Sequence, residues 1–150
     1  MKQTLITHTP EETIALAQKI GAKLRPGDLI AYTGGLGAGK TTFTRGLALG
    51  MGLPDEVHSP TFALVNEYHG GKGVVSLYHF DMYRITVPEA LESTGFFDYP
   101  AAESVFAVEW SENIADALPE TCIRIAVDHA GDTARTITIE GDERFADLGA

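Results

Sequence analysis

Asp28-Leu29-Ile30-Ala31-Tyr32-Thr33-Gly34-Gly35-Leu36-Gly37-Ala38-Gly39-Lys40-Thr41-Thr42 contains, from Gly34 to Thr41, the pattern Gly, four residues, Gly-Lys-Thr. The run before it reads as a buried strand, and the residues from Thr42 to Leu49 read as a helix that lacks glycine until Gly46. Strand, glycine-rich turn and helix, in that order, are the context in which this pattern binds phosphate. Glycines let the backbone take positive φ and approach the anion closely, so that successive N–H groups and the helix N-terminus converge on one charge. Gly35, Leu36, Gly37, Ala38, Gly39 and Thr42 are expected to line that cradle. Lys40 is expected against the β- and γ-phosphates of a nucleotide, with the Thr41 hydroxyl in the shell of a magnesium ion.

Upstream, Leu5-Ile6 forms a short apolar entry. Thr9-Pro10-Glu11-Glu12 then has the form of a helix start, with Thr9 as N-cap, Pro10 in the first turn and Glu12 in the capping-box position. Ile14, Leu16, Ala17, Ile20 and Leu24 recur at helical spacing, and Arg25-Pro26-Gly27 returns the chain to the strand that feeds the loop.

Downstream, the second helix stops at Gly50-Met51-Gly52, and the turn-rich segment from Leu53 to Thr61 enters the same neighbourhood. Such a segment has the character of a switch loop, with Ser59 and Thr61 as sensors of the γ-phosphate or of the attacking water; a plain surface connection is the competing reading. Phe62–Tyr68 and Val74–Asp81 read as an antiparallel hairpin across Gly70, Gly71 and Gly73. Its second strand ends in a carboxylate, Asp81. Val87–Thr94 reads as a short helix and Phe96–Pro100 as a packed turn. Ser104–Trp110 is a compact apolar strand of the buried parallel kind, and its terminal acid, Glu109, belongs at the carboxyl edge of the sheet beside the phosphate loop. Glu109 is therefore the expected second magnesium ligand, directly or through water. A short helix follows over Ser111–Leu118, then a period-two hairpin over Thr121–Val127 and Ala134–Glu140. From Gly141 the chain reads as a polar turn and a partly ordered tail.

The formal net charge of −10 argues against a basic surface that grips nucleic acid unaided. A single cysteine, Cys122, rules out an internal disulfide and suits a reducing cytoplasm. No stretch approaches the apolar length of a membrane span, and the first residues lack the apolar core of a secretory signal.

Gly35-Leu36-Gly37-Ala38-Gly39-Lys40-Thr41-Thr42-Phe43, Ser59-Pro60-Thr61-Phe62, Tyr78-His79-Phe80-Asp81-Met82-Tyr83-Arg84 and Val108-Glu109-Trp110, in this order, resemble the bacterial TsaE family, also called YjeE. The resemblance runs from about Pro10 to Arg135. It implies a small ATPase that works with TsaD and TsaB to make threonylcarbamoyladenosine in tRNAs that read codons beginning with A. It further implies that Thr41 and Glu109 bind magnesium, that Lys40 holds phosphate, that Asp81 supports hydrolysis, and that Ser59-Pro60-Thr61 lies in a switch-like loop. Trp110 belongs to the motif, as a contact of the nucleotide or of a partner or as core packing. Because the family's nucleotide base lies near the first helix, the resemblance also assigns Thr9 to adenine; Arg135 is the weaker candidate for contact with nucleotide or partner. One position departs: the family usually has Asp where this chain has Gly35.

The expected architecture is a single α/β domain over residues 1–150 of the P-loop NTPase type, three-layered, with a mixed sheet and a C-terminal β-hairpin. The expected activity is slow Mg2+-dependent ATP hydrolysis completed by TsaD and TsaB, with tRNA met only through that complex. A small-molecule kinase and a nucleotide-gated binding module stay open at this point. Against the kinase, no arginine-rich lid segment follows Glu109; absence of an Asn-Lys-x-Asp motif favours adenine over guanine.

Overall fold

Alternating and fully apolar runs resolve into one mixed sheet in a computed structural model that describes residues 1–34, 39–57, 64–87 and 89–148. Its strands are β1 (Lys2–Thr7), β2 (Leu29–Thr33), β3 (Val65–Tyr68), β4 (Leu77–Asp81), β5 (Val105–Glu109), β6 (Ile123–His129) and β7 (Arg135–Glu140), in the order β1-β7-β6-β2-β5-β4-β3. The central strands β6, β2, β5 and β4 run parallel, whereas β3, β7 and β1 pair antiparallel at the two sides. Both expected hairpins are present, β3 with β4 and β6 with β7.

Helices α1 (Pro10–Gly21) and α2 (Lys40–Gly50) cover one face. Leu16, Ala17 and Ile20 of α1 and Phe43, Leu47 and Ala48 of α2 meet Ile30, Tyr32, Leu77, Val105, Ala107, Ile125 and Val127 in the larger core. The two helices touch backbone to backbone: a Cβ at Gly21 would overlap the carbonyl of Leu47, and one at Gly46 would meet Ala17 and the carbonyl of Ile14. On the opposite face a smaller core joins Tyr78, Phe80, Phe106 and Val108 to Met82, Ile85, Leu91, Phe96 and Ile114. Leu91 comes from α3 (Glu89–Ser93), Phe96 and Ile114 from short 3-10 turns over Phe96–Asp98 and Ser111–Ala117, and Met82 and Ile85 from the turn that follows β4. This second layer covers β4 and β5; Arg124 and Asp128 of β6 remain exposed on the same side.

Local expectations and outcome differ in places. Thr9 caps α1 and accepts the Glu12 N–H at 3.1 Å, but the Glu12 carboxylate takes the His8 N–H at 3.2 Å rather than that of Thr9, so the capping box is not reciprocal. The apolar entry at Leu5-Ile6 is a full edge strand whose partner, β7, lies at the far end of the chain. Regular pairing of the second hairpin strand starts at Leu77, not Val74, and the helix after it occupies Glu89–Ser93, with Pro88 outside the described residues. Phe62 and Ala63 also lie outside them.

The tail is the larger correction. In place of the expected polar turn and partly ordered tail, Glu143–Phe145 forms a 3-10 turn that delivers Phe145 and Leu148 into the larger core. Arg144 holds it there, with Nη1 and Nη2 on the two Asp28 oxygens at 2.9 and 3.0 Å, Nε on Asp142 at 2.9 Å, and Nη1 also on the Lys23 carbonyl at 3.0 Å. Gln3 Nε2 donates to the Phe145 carbonyl at 2.6 Å, which fastens the tail to β1 as well. Phe145→Ala should therefore cost about 3–5 kcal/mol of unfolding free energy in urea denaturation, the range for emptying a buried aromatic site. The guanidinium of Arg144 holds the Asp142 carboxyl below its ordinary value. A depressed carboxylate contributes stability above its unfolded pKa of about 3.9 and loses it as pH falls through the folded value. Between about pH 5 and pH 2 the urea midpoint of the wild type should consequently fall more steeply than that of Arg144→Met.

Candidate functional site

Strand β2 has parallel neighbours on both sides, and its carboxyl end opens directly into the loop that starts α2. Open α/β sheets bind ligands at such a point. Gly35, Leu36, Gly37 and Ala38 lie outside the described residues, as do Ser59 and Thr61 in the segment 58–63. What is described frames the loop. Gly34 has φ +116°, and a Cβ there would overlap the carbonyl oxygen of Val127 on β6, so the chain leaves β2 pressed against its neighbour by a route that only glycine takes without strain. Gly39, at φ +98°, is the N-cap of α2 and has no side chain to satisfy the first turn. Among the described residues the first helical bond of α2 runs from Phe43 N–H to the Gly39 carbonyl at 2.9 Å, and a helix has no internal acceptor of its own for the N–H groups ahead of its first bond. Lys40 and Thr41 stand in that turn, where the helix dipole favours an anion.

Two carboxylates reach the same edge. Asp81 and Glu109 are register partners at the last positions of β4 and β5. Alternation sends both toward the α2 face, with Leu77, His79, Val105 and Ala107 below them. Asp81 is half-buried and its Oδ1 accepts the Tyr83 N–H at 2.9 Å, a bond that turns the chain at the strand end. Beyond Glu109, Trp110 takes φ 57° and ψ 40°, the single positive φ at a non-glycine among the described residues. Left-handed backbone of this kind costs about 1–2 kcal/mol and persists only where the surroundings impose it. They do so here through Ser111 Oγ, which donates to the Tyr32 carbonyl at 2.9 Å, and Asn113 Nδ2, which donates to the Met82 carbonyl at 2.9 Å. Strand ends β2, β5 and β4 are thereby latched to one another. The Trp110 ring lies 6.0 Å from Lys40 Nζ and 4.9 Å from the exposed Tyr83 ring, forming one wall of the site.

Behind the acids lies a buried polar group whose role the sequence does not announce. His79 is fully buried, and its Nε2 is 2.7 Å from Glu109 Oε2. The approach is outside the N–H direction, so neither ring nitrogen has an aligned hydrogen-bond partner among the described residues. The signal available in the sequence was a histidine at an inward position of a buried strand. Its register partner, Ala107, is small enough to let the ring reach across β5 toward Tyr32, at 6.4 Å between centroids. The Tyr32 hydroxyl is engaged elsewhere. Thr44 Oγ1 donates to the Lys40 carbonyl at 2.8 Å and so accepts from Tyr32 Oη at 2.7 Å. Burial pushes the Tyr32 phenol far above its ordinary pKa, the Thr44 bond offsets part of this, and the nearby Glu109 charge adds to it. The phenol therefore stays protonated and braces the first turn of α2.

Arg135 opens β7 and comes to the other side of the loop. Its Nη1 donates to the carbonyl of Ala134 at 2.8 Å and to those of Gly131 and Asp132 at 3.3 Å, and its Nε lies 3.6 Å from where a Cβ on Gly39 would be. With Pro10, Thr13, Gly39, Thr42 and Thr133 it lines a small cleft. Thr9 does not line that cleft; its hydroxyl caps α1, while the next residue, Pro10, does. A wider depression of about 400 Å³ lies at the amino end of β6, among Met1, Glu120, Cys122, Arg124 and Glu140, and includes none of the expected site residues.

A family model described as "Threonylcarbamoyl adenosine biosynthesis protein TsaE" matches residues 7–137. The chain is 43% identical over 132 residues to the tRNA threonylcarbamoyladenosine biosynthesis protein TsaE of Bacillus subtilis, covering 88% of this chain and 81% of that one. It is 45% identical over 112 residues to the protein of the same name from Haemophilus influenzae, covering 74% and 68%. The crystal structure of YdiB from Bacillus subtilis superposes with a TM-score of 0.75 at 36% identity, over 99% of this chain and 92% of that one. A sheet with β2 at its switch point, an uncapped α2 carrying Lys40 and paired acids at the adjoining strand ends thus accompany a match along most of the sequence, and the chain belongs to the TsaE family.

Proposed function

We propose that this chain binds ATP with Mg2+ and hydrolyses it as the ATPase component of tRNA threonylcarbamoyladenosine biosynthesis, acting with TsaD and TsaB and meeting tRNA only through that assembly. The observation that carries the reading is the in-register pair Asp81 and Glu109, set at the strand ends beside an α2 N-terminus that holds Lys40 and lacks a side-chain cap. The tRNA pathway comes from the names of the relatives, which also leave the kinase reading without support. A cytoplasmic setting belongs to the same proposal. It is supported by a buried free thiol at Cys122 and by the finding that, among the described residues, no helix is long and apolar enough to cross a membrane.

The residues present suit magnesium held jointly with phosphate. Among the described residues no three His, Cys, Asp or Glu side chains gather into a metal cage, and Mg2+ is commonly held by one or two carboxylates plus phosphate oxygens. Thr41 and Glu109 would hold it; when bound, it neutralises charge on the phosphates and orients them. Lys40 and the N–H groups of the loop and first α2 turn bind the phosphates. Asp81, beside Glu109 and anchored by the Tyr83 N–H, orients the attacking water. Arg135, Thr42 and the cleft beside Pro10 receive the nucleoside end, with Thr9 contributing through its cap of α1. Trp110 packs its ring beside Lys40 and limits water there. Ser59 and Thr61 sense the γ-phosphate. The charge that completes the transition state is assigned to a partner, and turnover by the chain alone is slow.

Lys40→Ala should weaken ATP binding about a hundredfold, equivalent to roughly 2.7 kcal/mol, in a calorimetric titration; an unchanged affinity would remove the central assignment. ATP hydrolysis measured with and without TsaD and TsaB should rise on adding them. In the same assay Glu109→Ala should lose about a hundredfold in rate, the scale of a removed metal contact, and full activity of that variant would contradict its role.

A further inference from the structure

We infer that His79 is a positioning residue for Glu109: its Nε2–H holds one carboxylate oxygen so that the other is presented to the metal. This rests on the reading of Glu109 as a magnesium ligand. A fully buried imidazole with both nitrogens unaligned is costly to keep in a core where a leucine would pack without penalty, so the group needs a use that this resting geometry does not display. Its surroundings identify that use. Leu77 and Val105 on the same face of the sheet are apolar, and the Tyr32 hydroxyl is already committed to Thr44. Glu109 Oε2, at 2.7 Å, stands within the range of a charge-assisted hydrogen bond and lacks only direction. A modest turn of the Glu109 carboxylate aligns the contact. The site is built for it, because Ala107 clears the space between the two side chains and Asp81, the next residue on that face of β4, turns away to the Tyr83 N–H. Carboxylates that bind metals are ordinarily held by such outer hydrogen bonds, and losing the partner typically weakens metal affinity about 10–100-fold.

The test follows Mn2+ binding to the ADP-loaded protein by electron paramagnetic resonance, beside ADP binding in EDTA and thermal melting. His79→Leu should weaken Mn2+ binding about tenfold or more and leave ADP binding in EDTA unchanged. His79→Gln, which restores an N–H at similar reach, should recover most of the loss, and the shorter His79→Asn should not. A purely structural role would lower the melting temperature of all three variants and weaken ADP equally with and without metal, which would overturn the inference. So would wild-type Mn2+ affinity in His79→Leu. Should His79→Leu fail to fold, the comparison of His79→Gln with His79→Asn decides, and equal metal affinity in those two refutes the assignment. Glu109→Gln separates the layers. If it weakens Mn2+ binding while the His79 variants do not, only the role of His79 falls; if it leaves Mn2+ binding intact, the metal reading falls and takes this inference with it.

Discussion

Parallel pairing of β2, β5 and β4 is the constraint from which the rest of the molecule follows. Parallel strands place their carboxyl ends along one edge, so Thr33-Gly34, Glu109 and Asp81 arrive together although they are far apart in sequence. Hydrogen bonds from Ser111 to Tyr32 and from Asn113 to Met82 then lock the exits of the three strands, and the left-handed turn at Trp110 is the strain those locks sustain. Slippage by one residue would send Glu109 to the aromatic side of the sheet.

The two faces of that sheet serve different ends. Against α1 and α2 the core is continuous and mostly aliphatic, with Tyr32, Phe43, Tyr68 and Phe145 as its rings, and the close approach of the helices at Gly21 and Gly46 makes them one body that carries the first turn of α2. Against α3 and the 3-10 turns the core is built of aromatic rings, with Phe80, Phe96, Tyr99 and Phe106 in edge-on contact. Polar side chains also enter the interior at the site, where Tyr32, Thr44 and His79 lie buried under Lys40 and Glu109. Buried polar groups require partners, and this cluster meets the requirement through Tyr32 and Thr44 while holding His79 poised beside a carboxylate.

Most elements were legible because their signals are local. Thr9-Pro10 starts a helix whatever surrounds it, the alternation of Ile123, Ile125 and Val127 announces a strand with one wet face, and the apolar run ending at Glu109 announces one with two covered faces. Elements whose reason is remote were not legible. Strand β1 has no strong pattern of its own and exists because β7 offers it an edge, and the tail is ordered because Asp28, Lys23 and Gln3 await Arg144 and Phe145. In the site, Lys40, Asp81 and Glu109 stood out as charged residues at element ends. His79 did not, because an isolated histidine in a strand has many ordinary uses and nothing nearby in sequence names Ala107 as the opening through which it meets Glu109.

By itself, then, the order of residues determined the strand, glycine turn and helix around Lys40, the acid-ended strands and the family to which they belong, since each depends on contacts within a few residues or on a motif of fixed spacing. Only the tertiary structure decided which strands beyond the two hairpins are neighbours, that Asp81 and Glu109 share one register, and that a buried imidazole backs one of them. Those relations depend on pairings between segments separated by dozens of residues, whose geometry emerges only when the sheet is assembled and its two cores close over it.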